Sequence, residues 1–238
     1  MSDKLRLQKH IADSGYCSRR RAEALIKSGR VNVNGRKVTK MGLKIDPDKA
    51  IVAIDNKKLE ITNEKIYLKL NKPRGVVSSC VSERGEKTII DLIKKDIEER
   101  IYPIGRLDKE SEGLILLTND GELANRLMHP RYEHEKEYEV NVELGIKNDE
   151  LMRLSSGVKI DGQMTLPAKV VRTGDNSFRI TLKEGKKRQI RKMAEMVGNQ
   201  VVCLKRIRIQ NIQLGKLASG QYAPLLPQEK DELLNGLV

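Results

Sequence analysis

Apolar residues at helical spacing open the chain. Leu7 and Ile11 lie four residues apart and Gly15 follows them, which predicts a short helix that ends at the glycine. Ser18 is the predicted N-cap of a second helix, because the stretch after it, "RRRAEALIK", places its apolar residues on one face. Two short amphipathic helices are therefore expected at the start of the chain.

The pattern then changes to a period of two. "RVNVNGRKV" alternates polar and apolar residues around Asn34-Gly35, a dipeptide that favours a tight hairpin turn. Residues 51–65 are polar and charged, which is typical of a linker. These features divide the chain into a small helix–hairpin domain at residues 1–60 and a larger domain at residues 61–238.

The larger domain is predicted to contain many short strands and few helices. Strands are predicted in "IYLKLNK", "IYPIG", "GLILLT", "KEYEVNVEL", "SFRITLKEG" and "QVVCLKRIRIQNIQLG". Helices are predicted in "TIIDLIKKDIEER", "ELANRLMH" and "KKRQIRKMAEMVG". Short strands that outnumber helices indicate an α+β fold with a mostly antiparallel mixed sheet, not a doubly wound parallel sheet.

The positive charge of the chain is unevenly distributed. The 238 residues carry a formal net charge of +13. The first 40 residues hold 11 Lys and Arg against 3 Asp and Glu, and residues 183–208 hold 9 against 2. Two concentrations of positive charge on one chain predict a polyanionic partner, with a solvated lysine-rich surface as the alternative.

Several common chemistries have no support in the sequence. The chain contains neither GxGxxG nor GxxxxGK[ST], its three histidines lack metal-ligand spacing, and its three cysteines form no CxxC pair. No apolar run approaches the ~18 residues of a membrane-spanning helix, and the N-terminus lacks the apolar segment of a signal peptide. We therefore expect a cytoplasmic protein with no cofactor, no metal and no membrane partner.

The first domain resembles a small RNA-binding domain that also occurs in a ribosomal small-subunit protein. The resemblance covers about residues 4–50 and is carried above all by "SRRRAEALIKSGRVNVNG". Cations on such a unit suit phosphates, because neutralising phosphates releases counterions. The predicted RNA-binding residues of this domain are Arg6, Lys9, Arg19, Arg20, Arg21, Lys27 and Arg30.

The larger domain resembles the catalytic domain of the RsuA-like family of RNA pseudouridine synthases. Five stretches match in order: "KLNKPRG", "GRLDKESEGLILLTNDG", "EKEYEV", "EGKKRQIRKM" and "CLKRIRI". Within the family, "HEKEY" and "RQIRKM" are most similar to the large-subunit rRNA synthase of F type. The resemblance implies a cofactor-independent isomerase, acting as a monomer, that converts a specific uridine of folded RNA into pseudouridine. A stem–loop of large-subunit rRNA is the expected substrate, with small-subunit rRNA or tRNA as alternatives.

The same resemblance assigns three catalytic residues. Asp108, in the GRLD stretch, matches the catalytic aspartate of the family and would act either as a nucleophile at the ribose or as a base. Arg191 matches its basic partner, and a nearby cation stabilises an ionised carboxylate. Tyr138 matches a tyrosine that stacks on uracil. The alternatives are a turn-forming aspartate, a surface cation and a core aromatic residue.

Four further residues are predicted to bind substrate. Arg106 resembles a residue that fills the space left by a flipped nucleotide, and extruding a nucleotide from its stack costs a few kcal/mol. Leu204 matches an apolar residue near the base. The alternatives are a surface cation for Arg106 and a plain core residue for Leu204. Lys72 and Arg188 complete the set, although Lys72, beside Pro73, is expected to shape a loop rather than to take part in chemistry.

A second class of function remains open at this point. The chain could be a non-catalytic RNA-binding factor of ribosome assembly, built on an inactivated synthase. The intact Asp108, Tyr138 and Arg191 argue against that interpretation. A DNA-binding regulator lacks a visible recognition helix with a dimer element. A single phenylalanine and no tryptophan disfavour an aromatic platform for single strands.

Overall fold

The computed structural model describes residues 4–60, 64–82 and 85–236, which form two compact units. One unit contains the chain up to residue 66 together with residues 98–101 and 119–121, and the other contains the remainder. The helices are α1 Leu7–Asp13, α2 Arg19–Lys27, α3 Gly121–Met128, α4 Asn148–Ser156, α5 Gln189–Met196 and α6 Pro227–Asn235. No helix of the described residues is both long enough and apolar enough to cross a membrane.

The strands are short, as the sequence pattern predicts. Those of the first unit are β1 Leu5–Arg6, β2 Val31–Val33, β3 Arg36–Val38, β4 Lys44–Ile45, β5 Val52–Ile54 and β6 Lys57–Lys58. Those of the second unit are β7 Tyr67–Lys72, β8 Tyr102–Ile104, β9 Glu112–Thr118, β10 Lys136–Val142, β11 Lys159–Ile160, β12 Gln163–Met164, β13 Lys169–Gly174, β14 Ser177–Leu182, β15 Val201–Ile209, β16 Ile212–Gln213 and β17 Tyr222–Pro224.

The first unit has the predicted helix–helix–hairpin arrangement. Ser18 caps α2 by accepting a hydrogen bond from the amide of Arg21 at 3.2 Å. Leu7 and Ile11 of α1 are fully buried against the small sheet. Asn34 and Gly35 both have positive φ, as a hairpin turn of this type requires.

The interpretation of residues 51–65 as a linker is wrong for their first part. Strand β5 lies inside the four-stranded sheet, whose order is β3-β2-β5-β6. Val52 and Ile54 are buried in the core of the first unit. The strand has only three residues, and charged residues lie on both sides of it. Its alternating pattern is therefore too short to stand out in the sequence. Residues 61–63 of that stretch lie outside the described residues.

The second unit contains a nine-stranded sheet. Seven strands follow the order β13-β14-β10-β15-β9-β7-β17, while β16 pairs with β15 and β8 pairs with β9. Its pairs are antiparallel except for β15 and β9, which run parallel. Helices α4 and α5 share one core cluster with strands β10, β14 and β15. The predicted α+β fold with a mostly antiparallel mixed sheet is confirmed.

One predicted helix is absent. "TIIDLIKKDIEER" forms only a short 3₁₀ turn at Ile90–Leu92. Asp91 accepts hydrogen bonds from both the amide and the hydroxyl of Thr88, and these local bonds compete with helix formation. Ile89 and Ile93 are nevertheless buried, so their four-residue spacing reports burial correctly.

Candidate active site

The loop between β8 and β9, residues 105–111, carries Asp108 and is fixed through its backbone. Ser78 holds Leu107 from both sides: its hydroxyl donates to the Leu107 carbonyl at 2.8 Å and accepts from the Leu107 amide at 3.1 Å. The carbonyl of Asp108 accepts from the amide of Ser111 at 3.0 Å. The turn around Asp108 is therefore made by main-chain groups.

The next carbonyl of the loop is held by the end of β7 and the turn after it. The Lys109 carbonyl accepts from the amide of Gly75 at 2.8 Å and from the Lys72 ammonium at 3.4 Å. Lys72 also donates to the carbonyls of Pro73 at 2.9 Å and Val76 at 2.7 Å. The ammonium of a completely buried lysine thus joins this turn to the Asp108 loop.

Two arginines complete the set of backbone contacts. Arg191 of α5 donates to the Glu110 carbonyl at 3.2 Å and to the Val201 carbonyl at 3.0 Å. Arg206 of β15 lies within 3.5 Å of the Arg106 carbonyl. Every carbonyl from Arg106 to Glu110 consequently has a donor, and the loop is preorganised before any substrate arrives.

The side chain of Asp108 is left free by this arrangement. It is exposed, and its carboxylate accepts no hydrogen bond from any residue that the structure describes. The two charged residues after it are engaged elsewhere, since Lys109 pairs with Glu86 at 2.8 Å and Glu110 pairs with Arg74 at 3.0 Å. An aspartate that served only as a turn former would use its side chain in the turn, and Asp108 does not.

Arg191 lies close enough to Asp108 for the two charges to interact. Burial lowers the pKa of the Arg191 guanidinium, Arg188 lowers it further, and the Asp108 carboxylate opposes both. The direct hydrogen bond of Arg191 goes to the loop backbone, not to the carboxylate. Arg191 therefore supplies positive potential at Asp108 and also fixes the loop that carries it.

Tyr138 and Leu204 lie on adjacent strands of the same sheet. Leu204 of β15 pairs with Val140 of β10, and Tyr138 of β10 pairs with Arg206 of β15. Tyr138 is half-buried against the core cluster that includes Leu204, and no described residue bonds to its hydroxyl. Leu204 is buried in that cluster, which fits a core residue, whereas the half-buried ring of Tyr138 keeps a surface that a planar base could stack on.

Arg106 and Arg188 are both exposed cations. Neither side chain has an ion pair or hydrogen bond with any described residue. The backbone of Arg188 is in the left-handed region, with φ of 53°. Arg188 immediately precedes α5, which begins later than the sequence pattern predicts. These two guanidinium groups are available to an anionic ligand.

The predicted role of Lys72 in substrate binding needs correction. Its side chain is completely buried and donates only to backbone carbonyls, so it cannot reach a substrate. Burial lowers the pKa of Lys72 to about 8, with Glu110, Glu112 and Asp108 opposing the shift and Arg206 adding to it. The expectation that Lys72 shapes a loop agrees with these contacts.

Sequence reasoning misses two residues that contact the loop. Ser78 follows the Pro/Gly turn and has no neighbours in sequence that mark it as important. Arg206 is in "CLKRIRI", but the family resemblance gives it no role. A signal is present, because Arg206 stands two positions after Leu204, and alternate residues of a strand share one face.

Positive charge in the first unit is only partly available. Arg30 forms a bidentate ion pair with Asp55, and Lys9 pairs with Asp13 at 3.8 Å. The remaining predicted cations form no ion pair with a described residue: Arg6, Arg19, Arg20, Arg21 and Lys27. Three of them occupy the first turn of α2, where no acid is present and the helix dipole itself attracts anions.

Comparisons with known proteins match both parts of the chain. The profile of the family described as RNA pseudouridylate synthase matches residues 66–196, and that of the S4 domain matches residues 5–51. The ribosomal large subunit pseudouridine synthase B of Bacillus subtilis (strain 168) is 43% identical over 235 residues, which cover 96% of this chain and 95% of the relative.

Two further relatives extend the match. The dual-specificity RNA pseudouridine synthase RluF of Escherichia coli (strain K12) is 39% identical over 232 residues, covering 96% of this chain and 78% of the relative. A crystal structure of a pseudouridylate synthase superimposes with a TM-score of 0.70 at 30% identity, covering 98% of this chain and all of the other. The fixed loop that presents a free aspartate thus stands within a match along nearly the whole sequence, and the chain belongs to the RNA pseudouridylate synthase family, with an S4 domain preceding its catalytic domain.

Proposed function

We propose that this isomerase converts a uridine in large-subunit rRNA into pseudouridine, with Asp108 as its essential catalytic group. The observation that carries the proposal is the free Asp108 carboxylate on a loop whose following charged side chains and carbonyls are engaged. Holding a reacting group in place before the substrate binds lowers the entropic part of the barrier. The reaction breaks the bond between ribose C1′ and uracil N1 and forms one between C1′ and C5. The C5 hydrogen is lost as a proton and N1 gains a proton, so the atoms balance without a group donor.

The remaining site residues have distinct roles in this proposal. Asp108 acts at the ribose, as a nucleophile or as a base, while Arg191 maintains positive potential beside it. Tyr138 stacks on the uracil, Leu204 packs near the base, and Arg106 enters the space that the extruded nucleotide leaves. Base extrusion is needed because the sugar–base bond is inaccessible in a stack.

The S4 domain supplies RNA affinity in the same proposal. The unpaired cations on the first turn of α2 suit phosphates of a folded stem–loop, because shape and backbone contacts dominate recognition of structured RNA. Support for a large-subunit target is the name of the 43% identical relative. An rRNA substrate would place the enzyme in the cytoplasm, and we propose that it acts there as a monomer.

Site mapping of pseudouridine in cellular RNA tests this function. RNA from cells that lack the gene should lose the modification at one or a few positions of large-subunit rRNA, and a plasmid copy should restore it. A loss confined to small-subunit rRNA or tRNA would contradict the proposed substrate. Unchanged pseudouridine in all RNA classes would instead favour the non-catalytic assembly factor.

A further inference from the structure

Arg206 has an environment that the reaction as described does not explain. Only 2% of its surface is exposed, and no carboxylate of a described residue lies within ion-pair distance. Its Nη2 atom is buried without a hydrogen-bond partner among the described residues. A buried cation without an acid is costly, and apolar residues of similar volume are often equally stable or better.

The contacts of Arg206 connect the two ends of the Asp108 loop. Its Nε donates to the Leu114 carbonyl of β9 at 2.7 Å, after the loop. Its Nη1 lies 3.5 Å from the Arg106 carbonyl, at the start of the loop. One rigid, planar guanidinium therefore spans the segment that carries Asp108.

The backbone of Arg206 is fixed just as closely. It pairs with Gly113 of β9 on one side and with Tyr138 of β10 on the other. A Cβ atom on Gly113 would lie 2.3 Å from the Arg206 carbonyl oxygen, so the two strands approach as only glycine allows. The position of Arg206 is thus determined relative to both the loop strand and the Tyr138 strand.

Neighbouring cations indicate that Arg206 acts on this region electrostatically. Burial lowers the pKa of Lys136, and Arg206 lowers it further. Arg206 also adds to the depression of the Lys72 pKa. A hydrophobic replacement would remove this mutual repulsion, so the neighbouring cations give no reason for an arginine here.

We propose that Arg206 is a positioning residue that holds the Asp108 loop in its productive geometry by bridging the Arg106 and Leu114 carbonyls. This inference rests on the proposed catalytic role of Asp108. It assigns to Arg206 an effect on the chemical step and not on RNA binding, because a buried guanidinium directed at main-chain carbonyls does not reach the substrate.

Two substitutions and a matched control test the inference. Arg206→Met keeps most of the length of the side chain and removes both the charge and the donors. Arg206→Lys keeps the charge but loses the planar fork. Arg208→Met is the control, because Arg208 lies on the same strand and its ion pairs are with Glu135 and Glu137, away from the loop.

Single-turnover rates, RNA affinities and amide hydrogen exchange would be measured for all three variants. A displacement of about 1 Å at a reacting group costs about 100-fold in rate, so Arg206→Met should lose about that factor. RNA affinity should stay within about threefold of wild type. Amides of residues 106–111 should exchange faster in both Arg206 variants and not in Arg208→Met.

Four results would overturn the inference. One is a turnover rate of Arg206→Met equal to that of Arg208→Met, and another is a rate loss explained wholly by weaker RNA binding. If Arg206→Met fails to fold, Arg206→Lys decides, since wild-type turnover there would show that the two-carbonyl bridge is dispensable. An inactive wild-type enzyme would contradict the proposed function instead. Loop exchange would still test the inference, and unchanged exchange in Arg206→Lys would overturn it.

Discussion

Replacing Gly113 by alanine tests the strand contact on which the active site is built. Gly113 begins the buried part of β9 with φ of +102°, a conformation that L-residues avoid. The added Cβ would lie 2.3 Å from the carbonyl oxygen and 2.7 Å from the nitrogen of Arg206. Both are main-chain atoms of β15, so no flexible side chain can move aside and β9 must separate from β15.

The expected loss of stability has two parts. The unfavourable φ costs about 1–2 kcal/mol, as for other L-residues in a left-handed conformation. Forced overpacking of an ordered core costs about 1–3 kcal/mol more. Gly162→Ala is the matched control, because Gly162 also has positive φ, +81°, but its Cβ would meet nothing within 4 Å. The control should therefore show only the first part.

Thermal and urea unfolding of the full chain would measure both variants. At about 2–4 °C per kcal/mol for a chain of this size, Gly113→Ala should melt several degrees below Gly162→Ala. Gly113 lies in the second unit, so the unfolding signal should come from a probe in that unit. Equal stability of the two variants would refute the close contact between β9 and Arg206.

Two other predictions concern Lys72 and the first unit. Unfolded Lys72 keeps a pKa of 10.5, whereas the folded protein lowers it to about 8, so between these pH values the unfolded chain binds the extra proton and stability rises with pH. The wild type should therefore gain up to about 3 kcal/mol relative to Lys72→Met as pH rises from 8 to 10.5, and a flat difference in urea titrations would contradict the buried charge. Replacing Arg19, Arg20 and Arg21 with glutamine should weaken RNA binding and reduce the slope of log Kd against log salt by about 0.7–0.9 for each phosphate that is no longer neutralised. An unchanged slope would show that the first turn of α2 does not contact phosphates.

Local signals predict the elements that depend on local contacts. The Ser18 cap of α2 and the turn at Asn34-Gly35 are both present, because each is determined by groups a few residues apart. The missing helix after Thr88 shows the limit of the same reasoning. Its apolar spacing suits a helix, but Asp91 accepts hydrogen bonds from Thr88. Ile89 and Ile93 are buried without an α-helix.

The site is less predictable, because its key contacts join distant parts of the chain. Asp108 is identified through the family resemblance, and its free carboxylate is consistent with that assignment. Lys72 and Arg206 look like surface cations in a chain with 46 Lys and Arg. Only folding brings Lys72 to the Lys109 carbonyl and Arg206 to the Arg106 carbonyl, 37 and 100 residues away.

Asp108→Asn tests the central claim most directly, with Glu110→Gln as the control on the same loop. The Asp108 change keeps the size of the side chain and removes its charge and basicity. Because the turn is made by the backbone, the variant should fold and bind RNA as the wild type does. We expect no detectable pseudouridine in single-turnover conversion of a folded target RNA, while Glu110→Gln remains active. A rate for Asp108→Asn within about tenfold of wild type would correspond to a barrier change of only ~1.4 kcal/mol, too little for an essential catalytic group, and would contradict the account.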